Sequence, residues 1–191
     1  MDLPLRPATY ADLVALPANI KGEIIDGRLY TQPRPRDLHM MLEGAAFYDV
    51  FGKFHRGHGG PGGWWVVIEP GIELPRSPEF SPDSAGWRRD RVPRRPDRKD
   101  PWRIAPDWIF EVLSPSNREY DLTIKRRFYA EIGVQHLWYL DPDARSVLVS
   151  RLERGAWVDI GEFTDVAPVR MEPFDAVELD IAEWWDSPDW R

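Results

Sequence analysis

One acidic side chain interrupts the stretch of this sequence that most resembles a buried strand. Residues 105–116 read APDWIFEVLSPS, an apolar run bounded by Pro-Asp on one side and by Ser-Pro on the other. That pattern predicts a buried strand of about six residues that ends in a turn. Glu111 lies inside the strand, and an unpaired buried carboxylate costs several kcal/mol. Glu111 is therefore expected to be paired, protonated or bound to a metal ion.

The segments around this strand alternate between strand and helix signals, which predicts a mixed sheet with helices packed on it. The Asp26-Gly27 pair between two short apolar runs is a strong hairpin signal. A helix is predicted over 37–54, with Met40, Phe47, Phe51 and Phe54 on its apolar face. The remaining predicted segments are strands at 64–69, 82–87, 135–140, 146–152 and 156–160, a helix at 121–132 and a connection at 75–81.

The chain between Ser114 and Gln135 is expected to form a right-handed crossover that joins two neighbouring strands. The helix at 121–132 would lie within this crossover, beside the strand that carries Glu111. The expected class is α/β (mixed α+β), with a central mixed sheet flanked by helices and an N-terminal hairpin. A length of 191 residues fits a single domain over 1–191.

Composition excludes several classes of function. The chain has no cysteine, which excludes disulfides, thiolate catalysis and cysteine-ligated zinc, and which fits a reducing cytoplasm. The first residues show no secretory signal, and the longest apolar run, 64–68, is too short to cross a bilayer. We therefore expect a cytoplasmic protein with no membrane partner.

The net charge of −7 is unusual for a protein that binds nucleic acid, but the charge is unevenly distributed. Between Arg88 and Arg103 there are eight basic side chains against three aspartates, a local charge of +5, which leaves −12 on the rest of the chain. The segment is either a solvated charged loop or a contact surface for a phosphate backbone. The candidate contacts for nucleic acid are Arg88, Arg89, Arg91, Arg94 and Arg95.

Two acids and one lysine on a strand–strand–helix frame form a candidate site for phosphodiester hydrolysis. Asp83, which follows Pro82, and Glu111 would offer hard oxygen ligands for Mg²⁺ or Mn²⁺ from adjacent strands. Lys125, at the border of the apolar stripe of its helix, could position the attacking water or stabilise charge on the phosphate. Glu23, in the first strand of the hairpin, is a further candidate for orienting water or a second ion.

These motifs resemble the Uma2 family of restriction-endonuclease-like proteins, within the PD-(D/E)XK nuclease superfamily. The resemblance spans nearly the whole chain and is carried by EIIDG at 23–27, PDSAGWRR at 82–89, PDWIFEVLSPS at 106–116, Lys125 and WYLDP at 138–142. It implies a restriction-endonuclease-like fold and a metal-dependent endonuclease, with Asp83 and Glu111 as the two acids. The superfamily lysine two residues after the second acid is Leu113 here, and the resemblance implies that Lys125 replaces it.

The resemblance implies DNA as the substrate. Because one active site cuts one strand, a homodimer is the expected assembly for cutting a duplex, with the aromatic tail around Trp184 and Trp185 as a candidate interface.

Each candidate also has a purely structural interpretation. Glu111 could form an ion pair with no catalytic role. Asp107 could support the metal ligands from behind or only cap a turn, and Asp121 could do the same or form the N-cap of its helix. The four histidines show no metal-ligand spacing with one another, apart from a weak signal at His55 and His58.

Two other functions remain open at this point. One is a catalytically inactive protein that binds nucleic acid or assembles through the same fold. The other is a hydrolase with a carboxylate pair and no metal, such as a glycosidase, which would keep its activity in EDTA.

Overall fold

The computed structural model describes residues 6–34, 37–164 and 168–185. Its α-helices are α1 (Tyr10–Val14), α2 (Asp37–Val50), α3 (Arg118–Tyr120), α4 (Arg126–Glu131) and α5 (Ala182–Trp185), and π-helical segments occupy Phe51–His55 and Asp121–Lys125. Its strands are β1 (Ile20–Ile25), β2 (Arg28–Pro33), β3 (Trp64–Ile68), β4 (Ile72–Leu74), β5 (Ser77–Phe80), β6 (Ser84–Arg88), β7 (Trp108–Val112), β8 (His136–Asp141), β9 (Ser146–Glu153) and β10 (Ala156–Thr164).

Over the described ranges these strands form two sheets, one with the order β2-β1-β5-β4 and a larger one with the order β10-β9-β8-β7-β6-β3. In the larger sheet β7 and β8 are parallel, while β6 pairs antiparallel with β7 and β8 pairs antiparallel with β9. The helical run from α3 to α4 connects the two parallel strands. The expected mixed α+β fold with a central mixed sheet and flanking helices is confirmed.

The N-terminal hairpin forms as expected because its turn residues accept a left-handed backbone. Asp26 and Gly27 have φ angles of 51° and 74°, the combination that a two-residue type I′ turn requires. β1 and β2 pair from Ile20 opposite Pro33 to Ile25 opposite Arg28. This register fixes Glu23, in the middle of β1, as a buried side chain.

Aromatic side chains form the core on one face of the larger sheet. Phe174 is fully buried, and its ring centroid lies 4.4–5.6 Å from those of Phe54, Trp64, Trp108 and Trp138. The tail tryptophans also belong to this core, since Trp184 is 1% and Trp185 8% exposed. They are therefore not available as the expected subunit interface, because their surface is already covered within one chain.

Helix α2 begins where predicted, but the prediction of its buried face was only partly right. Phe54, in the π-helical segment after α2, is 2% exposed, whereas Met40 is 59% exposed and Phe47 and Phe51 are only partly buried. The buried side of α2 consists of His39, Leu42, Glu43, Ala46 and Val50. The inward face therefore includes two ionisable side chains, which a search for an apolar stripe passes over.

Two other local predictions are corrected. The segment 75–81, expected to be a connection, contains strand β5, although Pro78 and Glu79 lower its strand signal. The helix predicted from residue 121 begins at Arg118, so Asp121 is an interior residue of the helical run and not its N-cap.

No helix in the described part of the chain is long and apolar enough to cross a membrane.

Candidate active site

Asp83 and Glu111 meet because β6 and β7 are antiparallel neighbours. Ser84 lies opposite Phe110, which places Asp83, just before β6, beside Glu111. The Asp83 N–H donates to Glu111 Oε2 at 3.4 Å, and the Val112 N–H donates to Asp83 Oδ2 at 2.8 Å. The two side chains are 4% and 1% exposed. Two carboxylates thus share one nearly enclosed position at the end of the sheet.

Lys125 reaches the same place from the crossover helix. Its Nζ lies 2.6 Å from Glu111 Oε1 and 3.6 Å from Glu23 Oε2. The residue is 1% exposed and lies at the end of the π-helical segment Asp121–Lys125, a local geometry that often occurs at functional sites. The structure therefore brings together the four predicted catalytic residues, Asp83, Glu111, Lys125 and Glu23.

Hydrogen bonds hold Glu23 and Glu111 in place around the ammonium. Glu23 Oε1 accepts a hydrogen bond from the Ser81 N–H at 2.8 Å, and its Oε2 accepts one from the Tyr120 hydroxyl at 3.4 Å. The Tyr129 hydroxyl donates a short hydrogen bond to Glu111 Oε1. Each acid therefore keeps a fixed direction toward Lys125.

The electrostatics of this cluster follow from burial and from the excess of acids. Burial raises the pKa of Glu111 to about 7, with Asp83 and Glu23 adding to the rise and Lys125 opposing it. Burial alone would lower the pKa of Lys125, but the charges of Glu111 and Glu23 outweigh it and raise that pKa well above its ordinary value. Lys125 is therefore a proton-holding ammonium, which donates hydrogen bonds and does not act as a base.

Two further residues, His39 and Glu43, complete a possible metal site with Asp83. The three side chains are buried, and one ligand atom from each lies within 4.8 Å of the others. His39 Nε2 is 3.1 Å from Asp83 Oδ2. Burial opposes ionisation of Asp83, but His39 and then Lys21 outweigh it and lower the pKa of Asp83. Burial, together with Asp83, raises the pKa of Glu43 to about 9.

The sequence interpretation missed His39 and Glu43 because it compared the histidines only with one another. The signal was present, since positions i and i+4 of a helix lie on one face and a histidine–glutamate pair at that spacing can bind one ion. His39 and Glu43 lie one turn apart on α2, on the side that faces the larger sheet. A search for mixed nitrogen and oxygen donors at helical spacing would have found them.

Asp121 lies within the cluster, at the opposite end of the π-helical segment from Lys125. It is fully buried, and its Oδ1 is 3.5 Å from Lys125 Nζ. Among the described residues neither of its carboxylate oxygens has a hydrogen-bond partner. Burial is the main reason that the pKa of Asp121 is raised well above its ordinary value. Asp121 therefore contacts Lys125, and its supporting role stays a prediction.

Asp107 and the arginine segment lie at the other end of the same two strands. Asp107 accepts hydrogen bonds from the Arg88 N–H and from Arg91 Nε, both at 2.8 Å. Five residues of extended strand separate Asp83 from Arg88, which corresponds to roughly 16 Å. The structure does not bring Asp107 or Arg88 to the acids.

Several arginines of this segment have partners within the chain. Arg88 pairs with Asp90, and Arg89 lies over the Trp65 ring at 4.1 Å and donates to the His55 carbonyl. Arg94 and Arg95 are exposed. Trp102 stacks on Trp87 with a centroid distance of 3.8 Å, so it anchors the segment. Part of the positive charge of the segment is therefore already in contact with other groups of the same chain.

Comparison with known proteins agrees with this fold. The Uma2 family, described as "Putative restriction endonuclease", matches residues 7–182. Among solved structures, the chain is similar to "a putative nuclease belonging to DUF820" from Anabaena variabilis, with a TM-score of 0.68 and 23% sequence identity over 94% of this chain and 99% of that chain. Comparison with curated proteins gives no match.

Proposed function

The chain belongs to the Uma2 family, and from that premise we propose that it is a metal-dependent endonuclease that hydrolyses phosphodiester bonds of DNA. Family membership supports a nuclease-like function. The observation that carries the proposal is the meeting of Asp83, Glu111 and Lys125, which come from three separate elements, in one buried cluster. A structural ion pair between Glu111 and Lys125 alone would not need Asp83, Glu23 and Glu43 beside it.

The residues at Asp83 fit a divalent cation. Within the described residues, Glu43 Oε1 is a buried polar atom without a hydrogen-bond partner, and the contact printed for His39 Nε2 is the one with Asp83 Oδ2 at 3.1 Å. Leaving such an atom unsatisfied costs about 1–3 kcal/mol, so buried atoms of this kind call for a ligand. His39, Glu43 and Asp83 would hold the ion. Glu111, the second ligand expected from the sequence, is not one of these three residues, and its Oε2 accepts from the Asp83 backbone N–H.

The donor set favours Mn²⁺ over Mg²⁺. Mg²⁺ prefers oxygen ligands and retains its water, whereas an imidazole nitrogen suits the first-row transition metals better. One imidazole and two carboxylates therefore suit Mn²⁺, which accepts both kinds of donor.

The residues of the chain have separable roles in the reaction. A bound divalent cation would supply Lewis-acid stabilisation of the phosphate and a lower pKa for its bound water. Lys125 holds its proton and offers positive charge where negative charge develops on the phosphate oxygens. Glu23 and Tyr129 keep Lys125 and Glu111 in position through their contacts.

Cleavage of DNA tests the proposal directly. We expect end-labelled DNA to be cut by the purified protein in Mn²⁺, more slowly in Mg²⁺, and not in excess EDTA. Denaturing gels give the rate, and a plasmid substrate shows whether internal bonds are cut. Failure to cut any DNA in either metal would contradict the proposal, and cleavage that survives EDTA would indicate a carboxylate-pair hydrolase.

Metal binding is expected to stabilise the fold measurably. An ion present at 100 times its dissociation constant adds about 2.7 kcal/mol to the free energy of unfolding, which raises Tm by roughly 5–11 °C for a chain of this size. We expect this rise with Mn²⁺, a smaller one with Mg²⁺, and none in His39→Ala or Glu43→Gln. His58→Ala, at an exposed histidine, is the matched control. Equal shifts in all variants would show that the ion binds elsewhere.

A further inference from the structure

A half-enclosed pocket of about 380 Å³ opens onto His39 and Asp83, two of the three proposed metal ligands. Asp83, His39 and Lys21 are among the residues that line it. Its walls are the end of β2, the start of α2 and the turns that follow β7 and β8. The volume lies within the range of pockets that hold small molecules, and it is far too small for a section of duplex.

The depth of the site restricts which phosphates can reach it. Asp83, Glu43 and His39 are 4%, 5% and 8% exposed, so a scissile phosphate must enter the pocket to approach them. In a duplex the phosphates lie on the outside of two paired strands. The turns around the pocket would therefore keep a duplex phosphate away from the acids. An unpaired strand can bend and place one nucleotide inside.

The lining of the pocket fits one nucleotide. Leu38, Leu113, Pro115 and Pro142 give apolar surface of the kind on which a base face packs, and Gln32, Ser116 and Asn117 give polar groups for a base edge or a sugar. Lys21 and Arg34 add positive charge, while Asp143 adds one further acid at the rim.

The exposure of Leu38 agrees with such a ligand. Its side chain is 53% exposed although it borders a pocket that contains the acids. Stacking of a base on side chains of this kind does not depend on base identity and contributes about 1–3 kcal/mol per base when an aromatic ring is involved. The apolar walls here would act in the same non-selective way.

We propose that this pocket holds a single unpaired nucleotide, so that the substrate is single-stranded DNA or an unpaired end or flap. The proposal rests on the nuclease function proposed above and names its substrate class. It also removes the need for a second subunit, because one site suffices to cut one strand.

The same oligonucleotide, single-stranded and annealed to its complement, tests the proposal in Mn²⁺. We expect the single strand to be cut at least about tenfold faster, the scale of one lost base contact. Ser116→Trp, at an exposed position in the lining, should fill the pocket and remove most of this cleavage. Met40→Trp, on an exposed position of α2 outside the lining, should not.

A binding measurement separates this inference from the nuclease function. Thymidine 5′-monophosphate in Mn²⁺, followed by calorimetry, is expected to bind wild type and Met40→Trp equally and Ser116→Trp at least about tenfold more weakly. Duplex cut as fast as single strand, with Ser116→Trp fully active, would overturn the pocket and leave the nuclease intact. If no DNA is cut, the nuclease proposal fails, and the nucleotide titration alone then supports or overturns the pocket.

Discussion

Replacing Glu111 with glutamine is expected to lower the rate of DNA cleavage by on the order of 10³-fold, the scale seen when a group that acts on the transition state is lost. The amide keeps the volume of the side chain, but its single oxygen can accept from only one of the Asp83 N–H and the Tyr129 hydroxyl, which bond to different oxygens of the carboxylate. It removes the negative charge that pairs with Lys125 and lies beside Asp83. Single-turnover cleavage rates in saturating Mn²⁺ measure the effect.

The fold of Glu111→Gln should survive, which separates loss of chemistry from loss of structure. Burial of the carboxylate disfavours its charged form, while the 2.6 Å contact with Lys125 favours it, so removing the charge has two opposing effects on the free energy of unfolding. Glu131→Gln makes the same chemical change at an exposed position of α4 and should leave the rate unchanged. Cleavage by Glu111→Gln at the wild-type rate would exclude the proposed site.

The frame of this site could be predicted from the sequence because its signals are local. The strand around Glu111 is an apolar run bounded by prolines, and the helix behind it carries an apolar stripe at Ile124 and Phe128. A crossover between them then joins parallel neighbours, as β7 and β8 are. Once these elements are placed, Lys125 is on the helix beside the strand of Glu111, and the structure shows the contact between them.

Some residues were missed or misplaced because their position depends on the direction in which a helix or strand faces. Local sequence patterns do not give that direction. His39 and Glu43 are polar residues on the inward face of α2, so the apolar stripe assigned to that helix did not include them. The arginines from Arg88 to Arg103 follow a strand whose other end carries Asp83. Sequence order gives their charge, but only the strand direction shows that the first of them, Arg88, lies roughly 16 Å from Asp83.

Replacing Lys125 with methionine is expected to destabilise the fold by about 3–5 kcal/mol, the usual effect of removing one partner of a buried ion pair. Lys125 Nζ lies within 3.6 Å of carboxylate oxygens of Glu111, Glu23 and Asp121. Without it these acids remain buried with less positive charge near them. Denaturant unfolding in EDTA measures the loss, with Lys99→Met at an exposed lysine as the control.

The double variant Lys125→Met with Glu111→Gln distinguishes a structural from a catalytic lysine. If the instability comes from the uncompensated Glu111 carboxylate, neutralising that residue should restore much of the lost free energy of unfolding, a coupling that a double-mutant cycle measures. Because the folded-state pKa of Glu111 is raised, folding takes up a proton there, so the instability of Lys125→Met should grow as the pH rises. Cleavage should stay lost in the stabilised double variant, since it lacks both the ammonium and the carboxylate. A single Lys125→Met variant as stable and as active as wild type would show that the ammonium supports neither the cluster nor the reaction.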